Sequence, residues 1–361
     1  MRFLSIKKIA KEAGVSTATV SRVLNNPGYK CSSEELRERI WKIARELNYM
    51  PNEAARNLKK GITDTSQKVW YLDVLMTRTG NLETDPFFSE LLRVIESEIH
   101  RQGCILMHIF HQPLFSNDRK CRTENIDKVI AQMEPDGEIR SDGLIIIGKC
   151  NDNVLKKLSA KYKSIVSVNR NSTNYLVDEV ICDGKRIAAM AVEYLIGLGH
   201  RKIGYVGDCH NESRYKGYQD TLFQYGIDID ISFVIEAEHT EAEGYAVMER
   251  LIQRGDAPTA IYCANDMIAI GMLKCLNKYK NRYYVPSIIS SDDIEEAQYT
   301  KPMLTTVRLP KEEMGKFALY LLIDRLGGGH KGIVRTELEG KLMIRESCTL
   351  VENANRMEYY I

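Results

Sequence analysis

Thr17, Ala18, Ser21 and Arg22 fall on one face of a short amphipathic stretch, residues 17–24, and each is small or hydrogen-bonding. A helix that enters a major groove needs small side chains at its leading end, hydroxyls for phosphates, and a donor such as arginine for guanine O6 and N7. Val20, Val23 and Leu24 make the opposite, apolar stripe. An ordinary helical hairpin has the same pattern, so the surrounding elements must decide. No catalytic set stands out elsewhere. Asp292 and Asp293 are adjacent, so they point differently and cannot face each other across a glycosidic bond. The chain shows no Gly-rich phosphate loop, nucleophile elbow or His-Glu-x-x-His. Cysteines 31, 104, 121, 150, 182, 209, 263, 275 and 348 are odd in number and never form a C-x-x-C pair. Reduced, mostly buried thiols are expected, with no disulfide framework, metal site or cofactor. The chain does not read as an enzyme.

The positioning elements are legible around that face. Ser5 can cap a helix whose stripe is Ile6, Ile9, Ala10 and Ala13; Gly14 suits the turn and Ser16 caps the next helix. A third helix is expected with Ser32 as cap, Glu35 in the capping-box position, and Leu36, Ile40, Ile43, Ala44 and Leu47 as its stripe. Three helices can bury a small shared core, which predicts an all-α helix-turn-helix headpiece over residues 1–49. Pro51 and Gly61 then bracket a hinge helix, 50–61, with one large apolar side chain, Leu58. It is too short to be stable alone. It is expected to order against its dimer mate on DNA, with Leu58 wedged into a minor-groove step. Charge agrees with a polyanion at this end. Residues 1–60 hold 13 Lys+Arg and 6 Asp+Glu, whereas the whole chain holds 50 and 49.

Residues 9–16, 19–25, Leu47-Asn48-Tyr49-x-Pro51-Asn52 and Ala55-Arg56-x-Leu58 together resemble the lactose/galactose repressor (LacI/GalR) family of transcriptional regulators. The resemblance implies that Thr17, Ala18 and Arg22 read bases. It places Ser16, Thr19, Ser21 and Asn25 against backbone or base edges, adds Asn52 and Ala55, and makes Leu58 the minor-groove lever. The link 27–33 between the second and third helices is longer than the family's.

Residues 62–361 alternate strands and helices in two series. Strands are expected at 69–76, 105–110, 143–148 and 164–168, then at 179–182, 202–207, 233–235, 259–263 and 285–290. Helices are expected from Pro86, near 123–134, at 152–161, 184–198, 212–225, 242–254 and 267–280, and from Leu309-Pro310 to Gly327-Gly328-Gly329. Apolar runs such as 144–147 imply parallel sheets covered on both faces. Two series in tandem predict two Rossmann-like α/β lobes with a ligand at the strands' C-terminal ends. The lobes are expected over roughly 69–170 plus 291–309, and 171–290 plus 310–350. The last helix should present Met314, Phe317, Ala318, Leu321 and Leu322 on one face. Residues 349–361 should form a loosely held tail.

The motifs at 197–207, 214–218, 264–271 and 302–307 carry the family resemblance through this core, which is then of periplasmic-binding-protein type. Carbohydrate hydroxyls are gripped by carboxylates, amides and guanidinium groups, with an aromatic face against the ring. By that resemblance Arg214, Asn265 and Asp292 are effector-binding, Phe87 or Phe88 supplies the face, and Asp85 and Lys149 are further candidates. The implied function is a DNA-binding regulator, a repressor of carbohydrate-utilisation genes released by a sugar. Lys149 and the run Asp292-Asp293-Ile294-Glu295-Glu296-Ala297 resemble those of galactoside-responsive members, which implies a galactoside. A purine, a sugar phosphate or an inactive cleft is the alternative. The expected partners are double-stranded DNA with a near-palindromic operator and a second copy of the chain. A sugar-uptake protein would need an export signal, which the basic start does not resemble, and no apolar run spans a bilayer. A cytoplasmic protein is expected.

Overall fold

The computed structural model describes residues 6–17, 19–20, 23, 33–46, 69–78, 85–117, 120–133, 140–210, 212–279 and 284–353. The chain divides into two compact units, Met1–Val69 and Trp70–Ile361. In the first, α1 (Ile6–Ala13) and α2 (Glu34–Glu46) flank helical backbone at Thr17, Thr19, Val20 and Val23. Ile9, Ala10, Ala13, Val20, Val23 and Ile40 are its buried core, with Val15, Leu36 and Ile43 packed at the edge. Gly14 takes the left-handed φ of 69° that ends α1. Helix α2 is capped by Ser33, whose hydroxyl accepts from Leu36 N at 3.2 Å, one residue later than the expected Ser32. The reason is local: the helix starts at Glu34, so the serine adjoining it is the one within reach.

Among the described residues the second unit holds two six-stranded sheets. The chain runs through β1 (Tyr71–Met76), α3 (Pro86–Arg101), β2 (Ile105–His111), α4 (Lys120–Thr123), α5 (Ile126–Ala131), β3 (Gly143–Ile147), α6 (Asp152–Ser159), β4 (Ser164–Asn169) and β5 (Asp178–Ile181). After α7 (Gly184–Gly197) it continues through β6 (Ile203–Gly207), α8 (Ser213–Gln224), β7 (Val234–Glu236), α9 (Glu241–Ile252), β8 (Ala260–Cys263), α10 (Asp266–Tyr279), β9 (Ser287–Asp292) and β10 (Thr305–Arg308). Helix α11 (Lys311–Leu326), β11 (Arg335–Glu337) and β12 (Lys341–Met343) complete it. The first sheet has the order β11-β5-β4-β3-β1-β2 and is parallel throughout. The second, β12-β10-β9-β8-β6-β7, is parallel except for its edge strand β12. Central strands such as Gly143–Ile147 are buried along their whole length, as sheets covered on both faces require.

Both sheets are doubly wound, and each reverses strand order once, between β1 and β3 and between β6 and β8. Ligands bind where the loops part at such a reversal, beyond the strands' C-terminal ends. The loops in question begin at Thr77, Gly148, Asp208 and Ala264.

Several expectations are corrected. Strand β5 joins the first sheet and β10 the second, and α11 packs on the first lobe although β10, which precedes it, lies in the second. Alternation reveals strands and helices but not which sheet a strand joins; side-chain fit decides that. Leu322 of α11 fills the space beside Gly143, and Gly315 lies against Val94 and Ile95 of α3. Met314, Ala318, Leu319 and Leu322 are the buried face of α11, whereas Phe317 is 40% exposed. The expected helix near 123–134 is split, because Asn125 accepts from Lys128 N and starts α5 anew. The tail is tied down at its start: Thr349 N donates to Ser287 Oγ at 3.0 Å and Val351 N to Leu198 O at 3.0 Å. Residues 354–361 of that expected tail lie outside the described residues. Among the described residues no helix is long and apolar enough to cross a membrane.

Candidate functional site

The cleft between the two sheets is built from charged side chains that follow apolar strands. Arg78 follows β1, Lys149 follows β3, Arg170 follows β4, and Asp292 ends β9. Glu212 caps α8, with Arg214 two residues on in its first turn. Among the contacts that join the lobes across it, Arg170 pairs with Asp292, Arg78 Nη2 meets His239 Nδ1, and Ser213 N donates to Asn171 Oδ1 at 3.2 Å. On the second lobe Arg214 Nε donates to Glu212 at 2.9 Å, and its Nη1 donates to the Ala264 carbonyl. Phe88, Arg78, Lys149, Arg170, Asp208 and Arg214 are among the groups around an enclosed space of about 30 Å³, room for a water or two. A wide hollow of about 1140 Å³ adjoins it and shares Lys149, Asn169 and Arg170.

Loss of water sets the charge states here. Burial pushes Asp292 up, Arg170 and Arg214 hold it back, and it settles at about 6. Burial likewise disfavours a charged Arg214, but Glu212 outweighs that and keeps the guanidinium above its usual range. Glu212 is held low in turn: burial opposes its charge and Arg214 more than compensates. His239 is driven well below the usual imidazole range, by burial first and then by Arg78 and Arg214. Asp292 and Asp293 have φ of 128° and 50°, rare for residues with a side chain and concentrated at functional sites.

In the first unit, Ser16 Oγ accepts from Thr19 N at 3.1 Å and lies 2.9 Å from Thr19 Oγ1, which starts the second helix as a serine cap does. Ser16 and Thr17 are exposed, while Val20 and Val23 are buried. Ser16 and Thr17 therefore face solvent while Val20 and Val23 hold the core.

Comparison with known proteins agrees with both units. Residues 5–52 match the model of the bacterial regulatory proteins, lacI family, and residues 192–348 match the periplasmic binding protein-like domain. The HTH-type transcriptional repressor MelR of Bacillus subtilis is 31% identical over 357 residues, covering 95% of this chain and 97% of that protein. The chain belongs to the lacI family of bacterial regulatory proteins. It is a DNA-binding transcriptional repressor. The repressor PurR of Haemophilus influenzae is 29% identical over 360 residues, covering 95% of this chain and 98% of PurR. The solved regulator CelR in complex with cellobiose shares the fold at a TM-score of 0.65 and 23% identity, covering 96% of this chain and all of that one.

Within this lacI-family chain the expected residues fare differently. Arg214 and Lys149 line the enclosed space, and Asp292 reaches Arg170 at its edge. Phe88 lines it too, whereas the Phe87 ring is covered by the Arg170 guanidinium, 4.2 Å from its centroid. Asp85 is occupied as the cap of α3, accepting from Phe87 N at 3.0 Å and Phe88 N at 3.4 Å. Asn265 accepts from Ile268 N at 3.1 Å, capping α10, and donates to the His239 carbonyl at 3.3 Å. Its amide thus holds the loop that presents His239. Asp293 binds Arg308 and Arg345 and is a structural anchor of β9. Ala18, Ser21, Arg22, Asn25, Asn52, Ala55, Leu58 and the hinge 50–61 lie outside the described residues. Arg78, Arg170, Glu212 and His239 were not singled out from sequence. The available signal was a charged residue directly after an apolar strand, which Arg78 and Arg170 both satisfy.

Proposed function

We propose that this repressor holds a near-palindromic operator as a homodimer and is released when a sugar, in particular a galactoside, enters the inter-lobe cleft. The observation that carries the reading is the Arg170–Asp292 pair, one residue from each lobe, with Arg214 and the Phe88 ring beside it. Planar multi-site groups next to an aromatic ring suit a polyhydroxylated ligand. The cellobiose complex of CelR, which has the same fold, supports a sugar. A galactoside rests on Lys149 and the 292–297 run.

Headpieces 1–49 sit in successive major grooves, with Thr17, Ala18 and Arg22 at base edges and Ser16, Thr19, Ser21 and Asn25 around them. The hinges 50–61 meet at the centre, where Asn52, Ala55 and Leu58 engage the minor groove. The small space is too tight for a sugar, so a ligand seated between Arg78, Phe88 and Arg214 must part the lobes. That movement separates the hinges and lowers DNA affinity, with a coupling of about 1–3 kcal/mol typical.

Fluorescence anisotropy on the DNA flanking its own gene tests this. Tight, salt-sensitive binding weakened by one galactoside is the expected result. Binding weakened only by another sugar would replace the galactoside. Binding indifferent to sugars but shifted by a purine would move the cleft to the alternative reading.

A further inference from the structure

We propose that Arg78 and His239 form an anion subsite at one end of the cleft, so that the effector carries a phosphate or carboxylate group. This rests on the reading of the cleft as the effector site and specifies its ligand further. Two of the cross-lobe contacts differ in kind. Arg170–Asp292 joins opposite charges. When the lobes part around a ligand, a set of hydroxyls can bridge the two, since their charges still offset each other nearby.

Arg78 has no such counterpart. Its one hydrogen-bond partner among the described residues is His239. Because His239 Nδ1 accepts from a guanidinium that can only donate, the imidazole is the neutral tautomer with its proton on Nε2. That Nε2 is buried without a partner among the described residues, and so is Arg170 Nε, which can only donate. The nearby carboxylates are committed elsewhere: Glu212 to Arg214, and Asp208 to His210 N at 2.7 Å. The groups around Arg78 are therefore a neutral imidazole, two further arginines and two engaged carboxylates.

Parting the lobes removes the imidazole acceptor from Arg78 and leaves a guanidinium in a low-water cleft. A neutral hydroxyl replaces one hydrogen bond and none of the charge. An anion satisfies the guanidinium fork, and it accepts from the neutral His239 ring once that ring carries its proton on Nδ1, the nitrogen that faced Arg78. Asn265 fixes the His239 carbonyl, so the histidine is held in place for this task.

The test titrates full-length protein on its operator with galactose, galactose 1-phosphate, galactose 6-phosphate, galacturonate, adenosine and AMP, followed by anisotropy and by calorimetry. One anionic probe should bind about tenfold or more tighter than its neutral parent. The Arg78→Met variant should bring that pair to within about threefold of each other. The wild-type comparison stands by itself if the variant does not fold. The phosphates and galacturonate separate the two sources of negative charge. A neutral sugar that binds as well as its anionic forms overturns the subsite and leaves the sugar reading intact. AMP binding above adenosine, with every sugar silent, upholds the subsite and overturns the sugar. Silence from all anions overturns the subsite.

Discussion

Asp292 is buried, has a φ of 128°, and faces Arg170 across the cleft. A non-glycine residue in that region costs of order 1–3 kcal/mol, so the surrounding structure must hold it there. Asp292→Ala should leave operator binding measurable by anisotropy but abolish release by the effector. It should also lower unfolding stability by about 3 kcal/mol or more, because Arg170 is left as an unpaired buried charge. Arg22→Ala should do the reverse at the other end of the chain. Discrimination between operator and scrambled DNA should fall by about 1–3 kcal/mol, with effector heats unchanged by calorimetry. Arg214 and Asp292 were readable in the sequence because their motifs sit in a familiar context. Arg78, Arg170 and His239 were not, because each gains its meaning from a partner on another strand that no local spacing reveals. Asn265 and Asp85 were readable as polar groups near the cleft, but their bonds go first to helix N-termini. A side chain that caps a helix and one that grips a ligand look the same in a sequence.

Helices α9 and α10 cross so closely that a methyl group at Gly271 would lie 2.0 Å from the Glu241 carbonyl. One at Gly244 would lie 2.0 Å from that of Ile268. Backbone cannot yield as a side-chain tip does, so Gly271→Ala should destabilise by about 2–3 kcal/mol in denaturant melts. Asp266, at the start of α10, ties three elements together: it accepts from Ser290 at 2.5 Å, Thr306 at 2.6 Å and Ile294 N at 2.8 Å. Burial, with Asp292 adding, raises it to about 7 against the opposition of those bonds. An unfolded aspartate titrates near pH 4. Between roughly pH 4 and 7 the folded state therefore binds a proton that the unfolded state has released, and this residue's contribution falls as pH rises through that window. Asp266→Asn should flatten the fall by up to a few kcal/mol, read as the difference between wild-type and variant unfolding curves across that range. Most strands and helices were legible to within two or three residues from their apolar runs. The split at Asn125 and the cap at Ser33 were missed, since either of two adjacent polar residues can start a helix on paper.

Across the whole molecule, the 13 Lys+Arg among residues 1–60 set the salt behaviour. Operator affinity should drop on the order of 10³-fold between about 50 and 200 mM salt, a loss measured by anisotropy, if two headpieces engage phosphates together. Effector affinity measured by calorimetry should change far less if its charges are enclosed in the cleft. The two-lobe plan was readable in the sequence; the lobes' memberships were not, because β5, β10 and α11 choose their sheets by fit. That exchange of segments bears on how the protein is born. A ribosome releases the chain from its N-terminus, and domains ordinarily fold as they emerge. Here the first lobe has all but one of its strands by Ile181, yet it waits for α11 and β11, made more than a hundred residues later. The second lobe in turn waits for β12. Neither lobe is finished until β11 and β12 have been made, and a message cut short after residue 310 should yield no half-protein. Its product exposes the apolar faces that α11 covers, and it should be cleared by proteases rather than compete for the operator.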